Sequence, residues 1–178
     1  MLKIISGTKK NALIAQPPST TRPTMQRVRK TIFDMIFSKV KGKVVVDCFA
    51  GSGAMGFEAL SIGAEHAFFI EKDQAAFEVV RSNAAKLGFE EKSTIVRADF
   101  FKVNSYKRKI DRKIDIAFID PPYGKFSDQE ILKALEEIMP DGLAIFETNS
   151  PVKLSEEQIL EKKQIADKYI TFFKIFGA

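Results

Sequence analysis

The stretch "VVVDCFAGSGAMG", residues 44–56, decides the fold. Three valines make an apolar run, Asp47 ends it, and glycines follow at 51, 53 and 56. A strand that is apolar on every residue is buried on both faces, as in a parallel sheet covered by helices. The glycines open a turn, and "AMGFEALSIG" (54–63) reads as the next helix. From Gly51 the letters fit G-x-G-x-x-G, the dinucleotide fingerprint. The loop alone points to an adenosine-containing ligand and leaves its kind open.

The same alternation continues in both directions. "KVVVDCF" (43–49), "AFFIE" (67–71), "STIVRAD" (93–99), "IDIAFID" (114–120) and "GLAIFET" (142–148) read as strands. Helices are expected between Thr24 and Gly42, then over 54–63, 73–88 and 127–139. The tail over 162–176 is β-branched and aromatic and reads as two more strands. Residues 2–5 and 12–15 suggest a small hairpin, and "QPPSTTRPT" (16–24) an extended connector. Strands alternating with helices give a doubly wound, Rossmann-like α/β sheet. We expect one domain over 1–178, with a hairpin-and-helix extension (1–42) ahead of a core (43–178).

Composition narrows the possibilities. The chain has 178 residues and a single cysteine, Cys48, so no internal disulfide or thiolate zinc site can form. No apolar run approaches membrane-spanning length, and "MLKIISGTKKN" lacks the apolar centre of a secretory signal. A reducing cytoplasm is the expected setting, with no membrane partner and no metal. Charge is uneven: residues 1–43 carry ten Lys/Arg and one acid, and residues 44–178 carry 18 Lys/Arg and 22 Asp/Glu. A basic extension on a mildly acidic body implies a polyanionic partner.

Ligands of open α/β sheets bind at the carboxyl ends of the strands. Four successive strands finish in an acid there: Asp47, Glu71, Asp99 and Asp120. Gly51 and Gly53 let the backbone approach a ligand, and their amides are expected to donate to it. Glu71 lies 20 residues past Gly51, where an acid takes ribose hydroxyls. Asp99 suits an adenine amino group, and Phe100 the ring. The fourth end is the most specific: "IDPPYG" (119–124) sets two prolines after a buried strand. Pro121 and Pro122 remove amide donors and leave carbonyl acceptors beside the Asp120 carboxylate. Such a site suits an amino group that develops positive charge. Tyr123 adds a face on which a base can stack. A nicotinamide dehydrogenase has no use for this cluster.

On these residues the chain resembles the S-adenosylmethionine (SAM) methyltransferases, through "DCFAGSG" and through "DPPY", which marks those that methylate exocyclic amino nitrogens. More narrowly, "RPTMQRVRKTIFDMI", "DCFAGSGAMGFEALSIGAEHAFFIEKD" and "AFIDPPYG" together resemble the RsmD family of ribosomal RNA guanine-N2 methyltransferases over nearly the whole chain. The resemblance implies a class I sheet of about seven strands, mostly parallel, with a C-terminal antiparallel strand. It implies SAM as cofactor, S-adenosylhomocysteine as product and small-subunit ribosomal RNA as partner, met by a monomer. Asp47, Phe49, Ala50, Gly51, Ser52, Gly53, Glu71, Lys72, Asp99 and Phe100 would hold the cofactor. Asp120, Pro121, Pro122 and Tyr123 would form the catalytic acceptor site. Arg22, Thr24, Arg27 and Arg29 would meet RNA. Transfer to an adenine N6 in DNA or another RNA is the alternative use of the same acceptor site. The chain departs from the family at Gln26, Lys30 and Ile62, and lacks a glycine after Tyr169. Cys48 is expected to pack in its strand, and His66, the only histidine, to lie in a surface turn.

Overall fold

The computed structural model describes residues 1–17, 23–122 and 126–176. The chain opens with strands β1 (Leu2–Lys3) and β2 (Leu13–Ile14), paired antiparallel, and helix α1 (Pro23–Val40). Then come β3 (Val44–Asp47), α2 (Ala54–Ile62), β4 (His66–Glu71), α3 (Gln74–Leu87), β5 (Ser93–Arg97) and β6 (Ile116–Ile119). Helix α4 (Asp128–Ile138), β7 (Gly142–Thr148), β8 (Ile159–Ile165) and β9 (Lys168–Ile175) complete it. The last seven strands form one sheet in the order β5-β4-β3-β6-β7-β9-β8. Pairings from β5 to β7 are parallel, and β9 is antiparallel to both its neighbours. The class I architecture expected above is therefore the observed one.

Local chemistry sets the element ends. Asp73 caps α3 by accepting from the Ala76 amide at 2.8 Å, and Gly88 closes it in the left-handed region. Ser127 and Glu130 form a reciprocal capping box on α4. β6 starts later than the sequence suggests because the Asp115 carboxylate accepts from the Val44 amide at 2.9 Å. β8 starts earlier, at Ile159; as an outer edge its charged run hides the strand in the sequence.

Alternate residues of the central strands feed two cores. Val45, Phe69, Phe118 and Ile145 pack with α1, α2 and α3 on one face. Val46, Phe68, Ala117 and Phe146 pack with α4 on the other. The β5-to-β6 crossover contains no α-helix; it covers that second face with short turns anchored by Tyr106, whose buried hydroxyl donates to the Phe100 carbonyl at 2.7 Å. His66 departs from the expected surface turn: it begins β4, is 6 % exposed, and its Nε2 bonds the Thr94 hydroxyl at 2.8 Å. Burial holds this imidazole below its ordinary range, with Arg112 adding to the effect. Cys48 packs in the interior as expected, and burial pushes its thiol well up, which keeps it inert.

The N-terminal hairpin is latched to the body by a buried acid. Glu58, in mid α2 and 0 % exposed, accepts from the amides of Ile5 and Ser6, the latter at 2.6 Å. Arg29 of α1 faces it, with Nε 3.6 Å from a Glu58 oxygen, and donates from Nη2 to the Lys3 carbonyl at 2.7 Å. Gly7 makes the contact possible: at φ +77 it sits where a Cβ would lie 1.9 Å from the Ser61 carbonyl oxygen. Breaking a buried pair by removing one partner costs about 3 kcal/mol or more. Arg29→Ala is therefore expected to lower the thermal midpoint by roughly 10 °C. Differential scanning calorimetry checks this, and adding Glu58→Gln should restore part of the loss because no buried charge is then stranded.

Candidate active site

The chain leaves β3 toward β4 on one side of the sheet and reaches β6 on the other. That is the topological switch point, where the carboxyl ends of neighbouring strands open a crevice. A cavity of about 510 Å³ lies there, and the sequence-selected acids Asp47, Glu71, Asp99 and Asp120 all line it. This volume is in the range of small-molecule and cofactor sites.

The loop after β3 is held from within. Asp47, 5 % exposed, accepts from the Gly56 amide at 3.3 Å. Glu71 accepts from the Gly51 amide and from the Asp73 amide, each at 2.8 Å, so one carboxylate ties the loop to the α3 N-terminus. The Gly53 amide donates to the Ala50 carbonyl at 2.6 Å. This corrects the expectation that the two glycine amides face a ligand: both have partners inside the protein. What Gly53 supplies is its φ of +76, the left-handed turn from which α2 starts. Gly56 serves packing, since a Cβ there would stand 2.3 Å from the Phe69 ring. Beneath the loop lies Asn83 of α3, 1 % exposed. Its amide donates to the Ser52 carbonyl at 2.9 Å and to the Ala15 carbonyl at 3.0 Å, and its oxygen accepts from the Ala15 amide at 2.8 Å.

One wall is aromatic. Phe49 and Phe100 have ring centroids 5.0 Å apart, and Phe101 and Phe126 lie at 4.2 Å. Phe101 and Phe126 were not singled out in the sequence. Asp99 sits at the rim, where it accepts from the Phe101 amide at 3.2 Å and pairs with Lys72 at 3.7 Å. Ala50 and Ser52 complete the lining beside Gly51.

The other end is polar. Asp120 follows β6, with Pro121 buried and Pro122 exposed beside it. Glu147, Asp167 and Lys168 line the same cavity and were not singled out either. Burial pushes the Asp47 carboxyl up to about 7, and the charges of Asp120 and Glu71 add to the rise. Burial raises Asp120 as well, while the Lys168 ammonium draws it back. Glu147 is also raised, first by burial and then by Asp120 and Asp167. Crowded acids at one end and an aromatic wall at the other suit a ligand with cationic centres, hydroxyls and a planar base. The SAM implied by the resemblance has all three, so the residues present fit it.

The expected RNA contacts divide. Arg27 is exposed on α1. Arg29 is not: it is 4 % exposed, and its guanidinium is committed to Glu58 and Lys3, which corrects its assignment to an RNA-facing surface. Burial also holds it below the ordinary arginine range, with Glu58 opposing. Arg22 and Tyr123, and the Thr24 side chain, lie outside the described residues. Among the described residues no helix is long and apolar enough to cross a membrane.

Comparison with known proteins follows the same lines. A family model described as Conserved hypothetical protein 95 matches residues 2–174. The provisionally named rRNA methyltransferase YlbH of Bacillus subtilis is 34% identical over 159 residues, covering 87% of this chain and 86% of that protein. Ribosomal RNA small subunit methyltransferase D of Escherichia coli is 34% identical over 137 residues, covering 76% of this chain and 67% of that one. Among solved structures, the provisionally named methyltransferase yhhF of Escherichia coli superposes with a TM-score of 0.82 at 25% identity, covering 99% of both chains.

Proposed function

Because this chain belongs to the Conserved hypothetical protein 95 family, the RsmD family, we propose that it transfers a methyl group from SAM to the exocyclic N2 amino group of a guanine in small-subunit ribosomal RNA. The observation that supports this reading most is that Asp120 and Pro121 line the same cavity as Asp47–Ser52 of the loop after β3. A cofactor loop and an acceptor site for an amino group thus share one chamber. Bound there, SAM supplies an already activated methyl group, so the protein's task is orientation and charge placement.

Each residue then has a physical role. Asp47 neutralises the ammonium of the methionine end. Glu71 offers its remaining lone pairs to the ribose hydroxyls, and Asp99 accepts from adenine beside Phe100. The guanine leaves its stack, at a cost of a few kcal/mol, and lies against Tyr123. Asp120 and the Pro121 carbonyl accept from its amino group and hold the nitrogen lone pair toward the methyl; the nitrogen gains the methyl carbon and gives up one proton toward the Asp120 carboxylate, and S-adenosylhomocysteine is the leaving product. Because prolines offer no amide, no donor competes for that nitrogen. The basic extension, with Arg22 and Arg27, meets the RNA backbone.

Small ribosomal subunits from a strain lacking the gene, incubated with the protein and methyl-labelled SAM, are expected to yield label as N2-methylguanosine on nucleoside analysis. Label on adenine overturns the base assignment, and transfer to DNA in preference to the subunits overturns the substrate.

A further inference from the structure

Three adjacent strands deliver a charged trio to the polar end of the cavity. Ile119 of β6 pairs with Phe146 of β7, so Asp120 and Glu147 follow side by side. Glu147 pairs in turn with Ile170 of β9, two residues after Lys168. Lys168 is 3 % exposed, its Nζ lies 3.7 Å from Glu147 Oε1, and it donates to Asn149 Oδ1 at 2.9 Å. A buried ammonium among carboxyls is a poor way to stabilise a fold; apolar residues of like volume do as well or better. It lines one cavity with Asp120, with Glu147 on the strand between them, and that gives it a different use.

Resting on the reaction proposed above, we propose that Lys168 is a positioning residue for Asp120, held in place by Glu147. Lys168 keeps the Asp120 carboxylate ionised, and therefore an acceptor, while Glu147 anchors the ammonium. The surroundings bear this out in sign. Burial favours a neutral Asp120, and Lys168 is the charge that counters it. Among the described residues, the other charged groups lining this cavity are Asp47 from β3, Glu71 and Lys72 at the end of β4, Asp99 after β5, Asp167 ahead of β9 and Arg29 of α1, whose guanidinium faces Glu58. A protonated Asp120 would present a donor to an amino group that already carries protons, and the lone pair would lose its guide.

Removing Lys168 raises the pH at which Asp120 ionises. Glu147 is pushed up to about 8, so it is still protonated where Asp120 titrates, and removing its carboxyl leaves that step in place. In log kcat against pH, Lys168→Met is expected to move the acid limb up by about one unit or more, and Lys168→Arg and Glu147→Gln to leave it near the wild-type position. Carboxyl carbon NMR follows the Asp120 titration in the same proteins without requiring turnover. An upward displacement in Lys168→Met that is absent from Lys168→Arg, seen in both measurements, supports the proposal. Coincident limbs and titrations, with kcat lowered evenly at every pH, overturn it. If Lys168→Met does not fold, Lys168→Gln takes its place with the same expected displacement. A displaced titration beside a wild type that gives no N2-methylguanosine keeps the Lys168–Asp120 pair and removes the reaction. An active wild type, with Asp120 titrating identically in Lys168→Met, does the reverse.

Discussion

Asp120→Ala is expected to lower kcat for methyl transfer by about 10²- to 10³-fold, the usual cost of deleting one positioned electrostatic or proton-accepting partner at a reacting centre. SAM affinity should hold or improve slightly. The reason is the coupling between the two ends of the cavity: the Asp120 charge raises Asp47, so its removal favours an ionised Asp47. Labelled-methyl transfer under saturating RNA, paired with calorimetric titration of SAM, separates the two quantities. A variant that retains kcat within a few-fold, or that loses SAM binding together with kcat, would remove Asp120 from the acceptor role.

Asp47→Asn should trade binding for stability. The Asp47 carboxyl is raised from 3.8 to about 7, chiefly by burial. A group whose folded value lies above its unfolded one contributes stability that is fully present below the unfolded value and is lost as pH rises through the folded one. The wild type should therefore lose up to about 4 kcal/mol from this group between pH ~4 and pH ~7. The asparagine variant lacks that slope, so it is the more stable protein at pH ~8 and about equal to wild type at pH ~4. Binding runs the other way. The ionised carboxylate is what an ammonium requires, so wild-type SAM affinity should rise with pH through about 7. The variant should bind about 30-fold or more weakly at pH ~8, with little pH dependence. Urea unfolding and calorimetry over that range check both; equal stabilities at pH ~8 would show that burial of this charge costs the fold nothing.

Much of this site could be read from the sequence because a parallel sheet sorts its ends. Once 44–47 is a fully buried strand, the acids that follow each strand must converge, and Asp47, Glu71, Asp99 and Asp120 do. Glu147 obeys the same rule, ending "GLAIFET", but no neighbouring motif marks it. Lys168 and Asp167 were out of reach for a topological reason: only the reversed direction of β9 brings the start of a strand to the end where the others finish. Arg29 was misplaced because a local run of positive charge says nothing about which member turns inward. The signal lay elsewhere, in Glu58, an acid inside the apolar helix "AMGFEALSIG" that calls for a buried cation. The glycine amides were misread for a similar reason, since letters give backbone freedom and not the partner each amide finds.

Asn83 carries a consequence for how the molecule opens. One side-chain amide grips both the Ala15 backbone of the N-terminal strap and the Ser52 carbonyl of the cofactor loop. Peeling the strap from the body takes two of the amide's three partners and leaves the loop's support half satisfied in the interior. The strap and the loop thus share a fastening, and the free energy of loosening one includes part of the cost of loosening the other. On the proposed function, RNA that steadied the basic extension would also firm the support beneath the loop after β3, and by reciprocity a ligand on that loop would stiffen the extension.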